Sequence, residues 1–136
     1  MNPISLIASI HSIFGERVLP LLIVIAAIWF TVTWKQDAPR SLAARIFPVL
    51  VDIQVTLGII YWIYLLFATT GDTQARYLSF PFILHPLLGI LAAGLAHMAV
   101  GKRSPFSALG RWAPLASLAM LLIIVIGGVY ITSALV

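Results

Sequence analysis

Four long apolar segments dominate this chain of 136 residues and limit its fold more than any other feature. Each is close to the roughly 20 residues that a helix needs to cross a hydrocarbon core about 30 Å thick. Backbone groups inside lipid must be paired within the spanning element, so helices are expected, and the alternating segments of about ten residues typical of barrel strands are not found. The predicted spans cover residues 18–34, 46–69, 77–100 and 112–136.

The composition agrees with a chain that is surrounded by lipid. Hydrophobic residues make up 62% of the sequence and charged residues 9%, whereas soluble domains average about 45–50% and about 25%. The net charge of +4 comes from basic residues placed between the apolar segments, not from one solvated basic face, so nucleic acid is not an expected partner. Cysteine is absent, which excludes disulfides and thiolate metal sites.

The connections between the predicted spans are short. Residues 35–45, 70–76 and 101–111 join them in turn, and short connections place consecutive helices side by side in opposite directions. The sequence therefore predicts an all-α fold, an integral membrane four-helix up-down-up-down bundle, with residues 1–136 forming a single transmembrane domain.

Residues 3–16 form a separate amphipathic pattern before the first predicted span. The polar residues recur at helical spacing, opposite an apolar face. We expect a short amphipathic helix that either lies in the membrane interface or extends the first span outward. A signal peptide is the competing interpretation, but there is no basic n-region, and we expect this segment to be retained. The polar positions are Ser5, Ser9, Ser12 and Glu16.

The distribution of basic residues predicts the orientation. Six of the eight Lys and Arg residues lie in the first and third connections, and cytoplasmic loops are the ones that gather basic residues. Residues 35–45 and 101–111 are therefore expected in the cytoplasm, and both termini are expected to be extracytoplasmic. The predicted location is the inner (plasma) membrane, with membrane lipid around the bundle.

The third predicted span contains the most informative pattern of polar and small residues. In the stretch HPLLGILAAGLAHMAVG, His and small residues recur along a stripe at intervals of four residues, and small residues let another helix or a flat cofactor approach closely. Two adjacent glycines in the fourth span suggest a second such contact. The stripe consists of His85, Gly89, Ala93, His97 and Gly101, and the second contact of Gly127 and Gly128.

The histidines are candidate cofactor ligands, because ionisable residues within spans are rare and functional. His85 and His97 are separated by about 18 Å along a helix and about 120° around it, so they cannot bind one metal ion together. His85 is the candidate metal ligand. Its only available partner is His11, which would have to lie on a helix continuous with the first span; otherwise His11 is expected to face water at the interface.

His97 has a different predicted partner. Asp52 lies at a similar depth in the second span, and a hydrogen bond or ion pair between the two side chains would neutralise both charges. We predict this intramembrane polar pair. A proton-relay role for Asp52 is the alternative, although a relay requires a chain of titratable groups.

The HPLLG…AH stretch resembles the His-bearing helices of small four-helix cytochrome b-type membrane proteins and of small accessory subunits of electron-transfer complexes. The resemblance implies haem b or (bacterio)chlorophyll as cofactor, whereas cytochromes of this type place paired histidines on two helices and this chain has no evident second set. It implies an accessory subunit of a respiratory or photosynthetic complex. Such a subunit packs against other membrane-protein subunits and helps to bind haem, chlorin or quinone.

Two other functions remain open at this point. One is a stand-alone four-helix haem-b electron carrier, and the other is a small transporter or channel. No nucleophile with a neighbouring base, phosphate-binding glycine loop or dense carboxylate cluster is found. We therefore do not expect the chain to be an enzyme on its own.

Overall fold

The computed structural model describes residues 2–99 and 104–134, most of which are helical. Four of its helical segments are long and apolar enough to cross a membrane, which suggests a multi-pass membrane protein and confirms the predicted all-α class with four candidate spans. These segments are Pro3–Val32, Leu42–Ala68, Gly71–Ala99 and Ser107–Ser133.

The first span is longer than the sequence predicts. Helix α1 covers Pro3–Ile13, a π-helical turn covers Phe14–Val18, and helix α2 covers Leu19–Val32, together one continuous segment. The amphipathic residues 3–16 therefore extend the first span, and the candidate span begins at residue 3 where residue 18 was expected.

Two local features explain the start of this helix and its π-helical turn. The Asn2 side chain caps α1 by accepting hydrogen bonds from the backbone N–H groups of Ile4 and Ser5, at 2.8 and 3.0 Å, as Asn commonly does at this position. Pro20 has no N–H to donate to the carbonyl four residues earlier. The N–H of Leu19 instead bonds to the carbonyl of Phe14, five residues back.

Five further elements complete the described chain. Helix α3 is capped by the Ser41 hydroxyl, which accepts from the N–H of Ala44 at 3.2 Å. A short 3₁₀ segment contains Gly110, whose φ of 56° is accessible mainly to glycine, and it leads into the last span. In chain order the elements are α3 (Leu42–Ala68), α4 (Gly71–Tyr77), α5 (Phe80–Ala99), the 3₁₀ segment (Ser107–Trp112) and α6 (Ala113–Ala134).

The first span crosses the bundle obliquely, because its two halves pack against different helices. Its second half, α2, packs against α6, whereas its first half, α1, packs against α3. Helix α5 contacts both α3 and α6. The first span therefore passes from α6 to α3 along its length, and α1 is brought beside the middle of the bundle.

Small side chains form much of the contact between the spans. Alanines of α2 and α5 are buried against larger residues of α3 and α6. In a membrane there is no hydrophobic driving force between helices, and they associate largely through close packing. Small residues allow that close packing. The fully buried or nearly buried core includes Ile23, Ala26, Ala27, Val51, Ala92, Ala96, Leu118 and Leu121.

We predict that Leu118→Ala lowers the free energy of unfolding by about 2–5 kcal/mol, since Leu118 is fully buried and its truncation leaves a cavity. The matched control is Leu91→Ala on α5, whose side chain is 52% exposed. Lipid can fill the space there, so we expect a change of about 0.5 kcal/mol or less. Equilibrium unfolding in detergent measures both. Equal effects of the two variants would contradict this packing.

Candidate functional site

Two histidines, one from the first span and one from the third, meet inside the bundle. His11 lies on α1 and His85 lies on α5, and both side chains are half-buried. The centroids of their rings are 6.0 Å apart, and the ring planes are at 89° to each other. The oblique first span is what makes this meeting possible, because it brings α1 against α3 next to α5.

Both rings are held in the same way by a backbone carbonyl. Nδ1 of His11 lies 3.1 Å from the carbonyl oxygen of Gln54, and Nδ1 of His85 lies 2.9 Å from that of Gly128. A carbonyl only accepts, so Nδ1–H is the donor in each bond. A neutral ring with its proton on Nδ1 carries a free lone pair on Nε2. Within the described residues, neither Nε2 has a hydrogen-bond partner.

Gln54 and His11 are joined by two hydrogen bonds, in which each residue donates once and accepts once. While the Gln54 backbone carbonyl accepts from the His11 ring, the Gln54 side-chain Nε2 donates to the His11 backbone carbonyl at 2.7 Å. Helices α1 and α3 are thus joined by a reciprocal pair of hydrogen bonds. The remaining polar atom of the amide, Oε1, is buried and has no partner among the described residues.

Two glycines make room for this arrangement. A Cβ atom at Gly58 of α3 would overlap the His11 ring, and one at Gly15 in the π-helical turn would overlap the Gln54 amide. Gly128 of α6 is the third close approach, with an added Cβ 3.5 Å from Nδ1 of His85. The two histidines therefore pack directly onto the backbones of neighbouring helices.

A cavity of about 340 Å³ adjoins both histidines. Its walls are mostly apolar, and the few polar groups include the two imidazoles and the Gln54 amide. Small-molecule and cofactor sites are commonly of this kind, an apolar cavity with a few placed polar groups. The wall also includes Gly15, Gly58, Gly89, Gly128, Tyr61 and Trp62.

The second polar pair lies elsewhere, on the outside of the bundle. Nε2 of His97 on α5 is 2.8 Å from Oδ2 of Asp52 on α3, and the two side chains are 52% and 42% exposed. The structure thus brings together the two residues that the sequence suggested as an intramembrane pair. It also keeps His97 apart from the His11–His85 pair, as the helical spacing requires.

The small residues of the predicted stripe have different environments. A Cβ at Gly89 would be in van der Waals contact with Val55, so this part of α5 packs on α3. Ala93 is half-buried. Gly127 has open space around it, unlike Gly128, and is not at a helix contact in the described chain. Gly101 lies outside the described residues.

The placement of His11 corrects one expectation and identifies residues that sequence reasoning missed. His11 was expected to face water at the interface unless its helix was continuous with the first span. That helix is continuous, and the ring points to Gln54 and His85. Gly58 and Gly15 were not predicted to belong to the site, and Gln54, one of the few polar residues within a predicted span, was not predicted to bind His11. The signal available was a glycine at position 58, one turn after Gln54, within an otherwise bulky apolar helix.

Comparison with known proteins adds no relative. No family model, curated protein or solved structure matches the chain. The resemblance of the His-bearing third span to cytochrome b-type proteins therefore stays a prediction.

We predict that Gly58→Ala destabilises the protein by about 1–3 kcal/mol, because the added methyl group forces the His11 ring out of place. Gly94→Ala is the matched control. An added Cβ at Gly94 meets nothing within 4 Å, so the higher helix propensity of alanine favours stability by up to about 1 kcal/mol. Thermal unfolding in detergent measures both variants, and a stabilised Gly58→Ala would contradict the contact.

Proposed function

We propose that the chain binds one haem b inside the bundle, with Nε2 of His11 and Nε2 of His85 as its two axial ligands, and that it serves in membrane electron transfer. The observation that carries the proposal is the pair of imidazoles with ring centroids 6.0 Å apart, each with Nδ1 bonded to a backbone carbonyl and Nε2 left free. Metal-ligating histidines almost always donate their other ring N–H in this way, which fixes the tautomer and the ring orientation.

The separation of the rings suits a single iron between them. With iron–nitrogen bonds of about 2 Å and ring nitrogens about 1.1 Å from their ring centres, two axial imidazoles have centroids about 6 Å apart. The two rings in this chain are 6.0 Å apart.

The number of ligands favours haem over a bare metal ion. A protein-bound zinc ion commonly takes four ligands, mostly from side chains, but the described residues contain no group of three His, Cys, Asp or Glu able to hold a metal. A porphyrin supplies four nitrogens itself and requires only axial ligands from the protein. The pairing of two histidines also favours haem over a chlorin held by a single histidine.

The chain's own residues define what such a site can do. Haem supplies a one-electron redox change at iron. If His11 and His85 both held the iron, no position on it would remain for a substrate, which favours electron transfer over catalysis. Gln54 and Gly128 orient the two rings.

The proposed membrane location, orientation and partners rest on the topology and on the short connections. We place the protein in the inner (plasma) membrane as an up-down-up-down bundle, with both termini extracytoplasmic and residues 35–45 and 101–111 cytoplasmic, because these connections carry most of the basic residues. Connections this short offer little surface for a soluble electron carrier. Other membrane-protein subunits of a respiratory or photosynthetic complex are therefore the proposed electron donor and acceptor.

The haem proposal predicts a low-spin spectrum that depends on both ligands. The protein purified from haem-sufficient cells, or reconstituted with haem, should show a Soret band and sharp reduced bands. His11→Ala and His85→Ala should each weaken haem binding beyond the roughly 10- to 100-fold expected for loss of an outer hydrogen bond. Added imidazole should restore the low-spin spectrum, because it replaces the missing ring.

The third histidine provides the control for this experiment. His97→Ala changes the same residue type outside the cavity, so its spectrum and haem content should equal those of the unmodified protein. Loss of haem in His97→Ala together with retention in His85→Ala would exclude the proposed ligands.

The proposed orientation is testable because the chain has no cysteine. A single cysteine at Thr73→Cys, exposed in α4, should react with a membrane-impermeant maleimide in intact spheroplasts. Gln36→Cys, exposed in the first connection, should react only after the membrane is permeabilised. The reverse pattern would place the termini in the cytoplasm.

A further inference from the structure

A second cavity lies at one end of the bundle, beside the first connection. Its volume is about 1040 Å³, and it is bordered by the end of α2, the first turn of α3 and the 3₁₀ segment before α6. It shares no lining residue with the cavity that adjoins His11 and His85. Small-molecule sites commonly have volumes of about 300–1,000 Å³, so this cavity admits a ligand much larger than an ion.

The first connection turns sharply beside this cavity. The N–H of Ala38 donates to the carbonyl of Lys35 at 3.4 Å, and Asp37 has a φ of 60°, in the left-handed region where Asp is enriched. Lys35 precedes the turn and Arg40 follows it, and both line the cavity. The turn thus brings two basic residues to one cavity.

The charges around the cavity favour an anion. Within the described residues, the side chains of Lys35 and Arg40 have no ion-pair or hydrogen-bond partner, and both are exposed. Asp37 is the one acidic residue among the described residues that line the cavity, and it has an interaction of its own. Two basic residues against one acidic residue leave the wall positive, and the N-terminus of α3, which begins here at Leu42, adds to the effect.

Another part of the same wall is aromatic and apolar. Trp29 and Phe30 of α2 line the cavity, as do Trp34 just after this helix and Ala99 at the end of α5. Trp29 is 56% exposed and Trp34 is 38% exposed. Tryptophan is enriched where a membrane meets water, with its ring at the level of the lipid head groups. A cavity that offers both cations and tryptophans suits an amphiphilic anion better than a small soluble one.

We propose that this cavity binds the phosphate head group of an anionic phospholipid. Lys35, Arg40 and the Ser107 hydroxyl, all on the cavity wall, donate to the phosphate oxygens, while Trp29 and Trp34 contact the start of the acyl chains. Basic pockets between spans on the cytoplasmic side of a membrane commonly bind anionic head groups. The site stands independently of haem binding, because the two cavities have no lining residue in common.

The test is a titration of the purified full-length protein in detergent with phosphatidylglycerol, followed by native mass spectrometry. The comparison lipid is phosphatidylcholine with the same acyl chains, which has the same phosphate but also a positive charge. We expect one high-affinity phosphatidylglycerol per chain, bound at least about tenfold more tightly than phosphatidylcholine. Inorganic phosphate and glycerophosphoglycerol, the soluble head group of the same lipid, should not displace it, because they lack the acyl chains.

Charge variants test the location of the site. Lys35→Gln and Arg40→Gln should each weaken phosphatidylglycerol binding about fivefold, the usual contribution of one basic residue beside anionic lipid. Arg40→Lys keeps the charge and should retain most of the affinity. Arg45→Gln is the matched control, because Arg45 is an exposed cation on the first turn of α3 that does not line the cavity. This variant should bind phosphatidylglycerol as the unmodified protein does.

Three results would overturn the proposal. Equal affinity for phosphatidylglycerol and phosphatidylcholine would show that the cavity does not select an anion. An equal loss of affinity in Arg45→Gln and Arg40→Gln would show a diffuse attraction to basic residues at this end of the bundle. Displacement of the lipid by glycerophosphoglycerol or inorganic phosphate at similar concentration would make a free phosphate the ligand.

Discussion

The hydrogen bonds that two imidazoles make to backbone carbonyls determine how the centre of this bundle is built. A polar group among apolar helices is unfavourable unless it is paired. His11 meets this requirement through Gln54 of α3, and His85 meets it through Gly128 of α6. Each bond joins two spans, so together they connect α1 to α3 and α5 to α6 at the level of the cavity.

Several other features follow from these contacts. The His11 ring fits against α3 only where the backbone lacks a side chain, which explains the glycine at 58, and the His85 ring lies in van der Waals range of Gly128. The π-helical turn places Gly15 against the Gln54 amide, and π-bulges inside α-helices are frequent at functional sites. The same small residues that permit close packing also line the mostly apolar cavity that adjoins both imidazoles. Packing and the shape of the cavity thus depend on the same positions.

The sequence was sufficient for the parts of the structure that depend on composition and helical spacing. Four apolar segments predicted four candidate spans, and the spacing of His85 and His97 excluded a shared metal. The Asp52–His97 contact could be suggested because both residues lie at similar depth. The His11–His85 contact required the path of the first span, which depends on how α2 packs against α6. A local pattern at residues 3–16 contains no information about that packing, so the contact of Gln54 with His11 and the role of Gly58 were not predicted.

The proposed ligation of haem by His11 and His85 is tested most directly by near-infrared magnetic circular dichroism of the oxidised haem-loaded protein. This measurement identifies axial ligands from the energy of the charge-transfer band of low-spin ferric haem. Ligation by both residues predicts the band of a bis-imidazole haem. A high-spin spectrum, or a band typical of histidine paired with methionine or water, would contradict it.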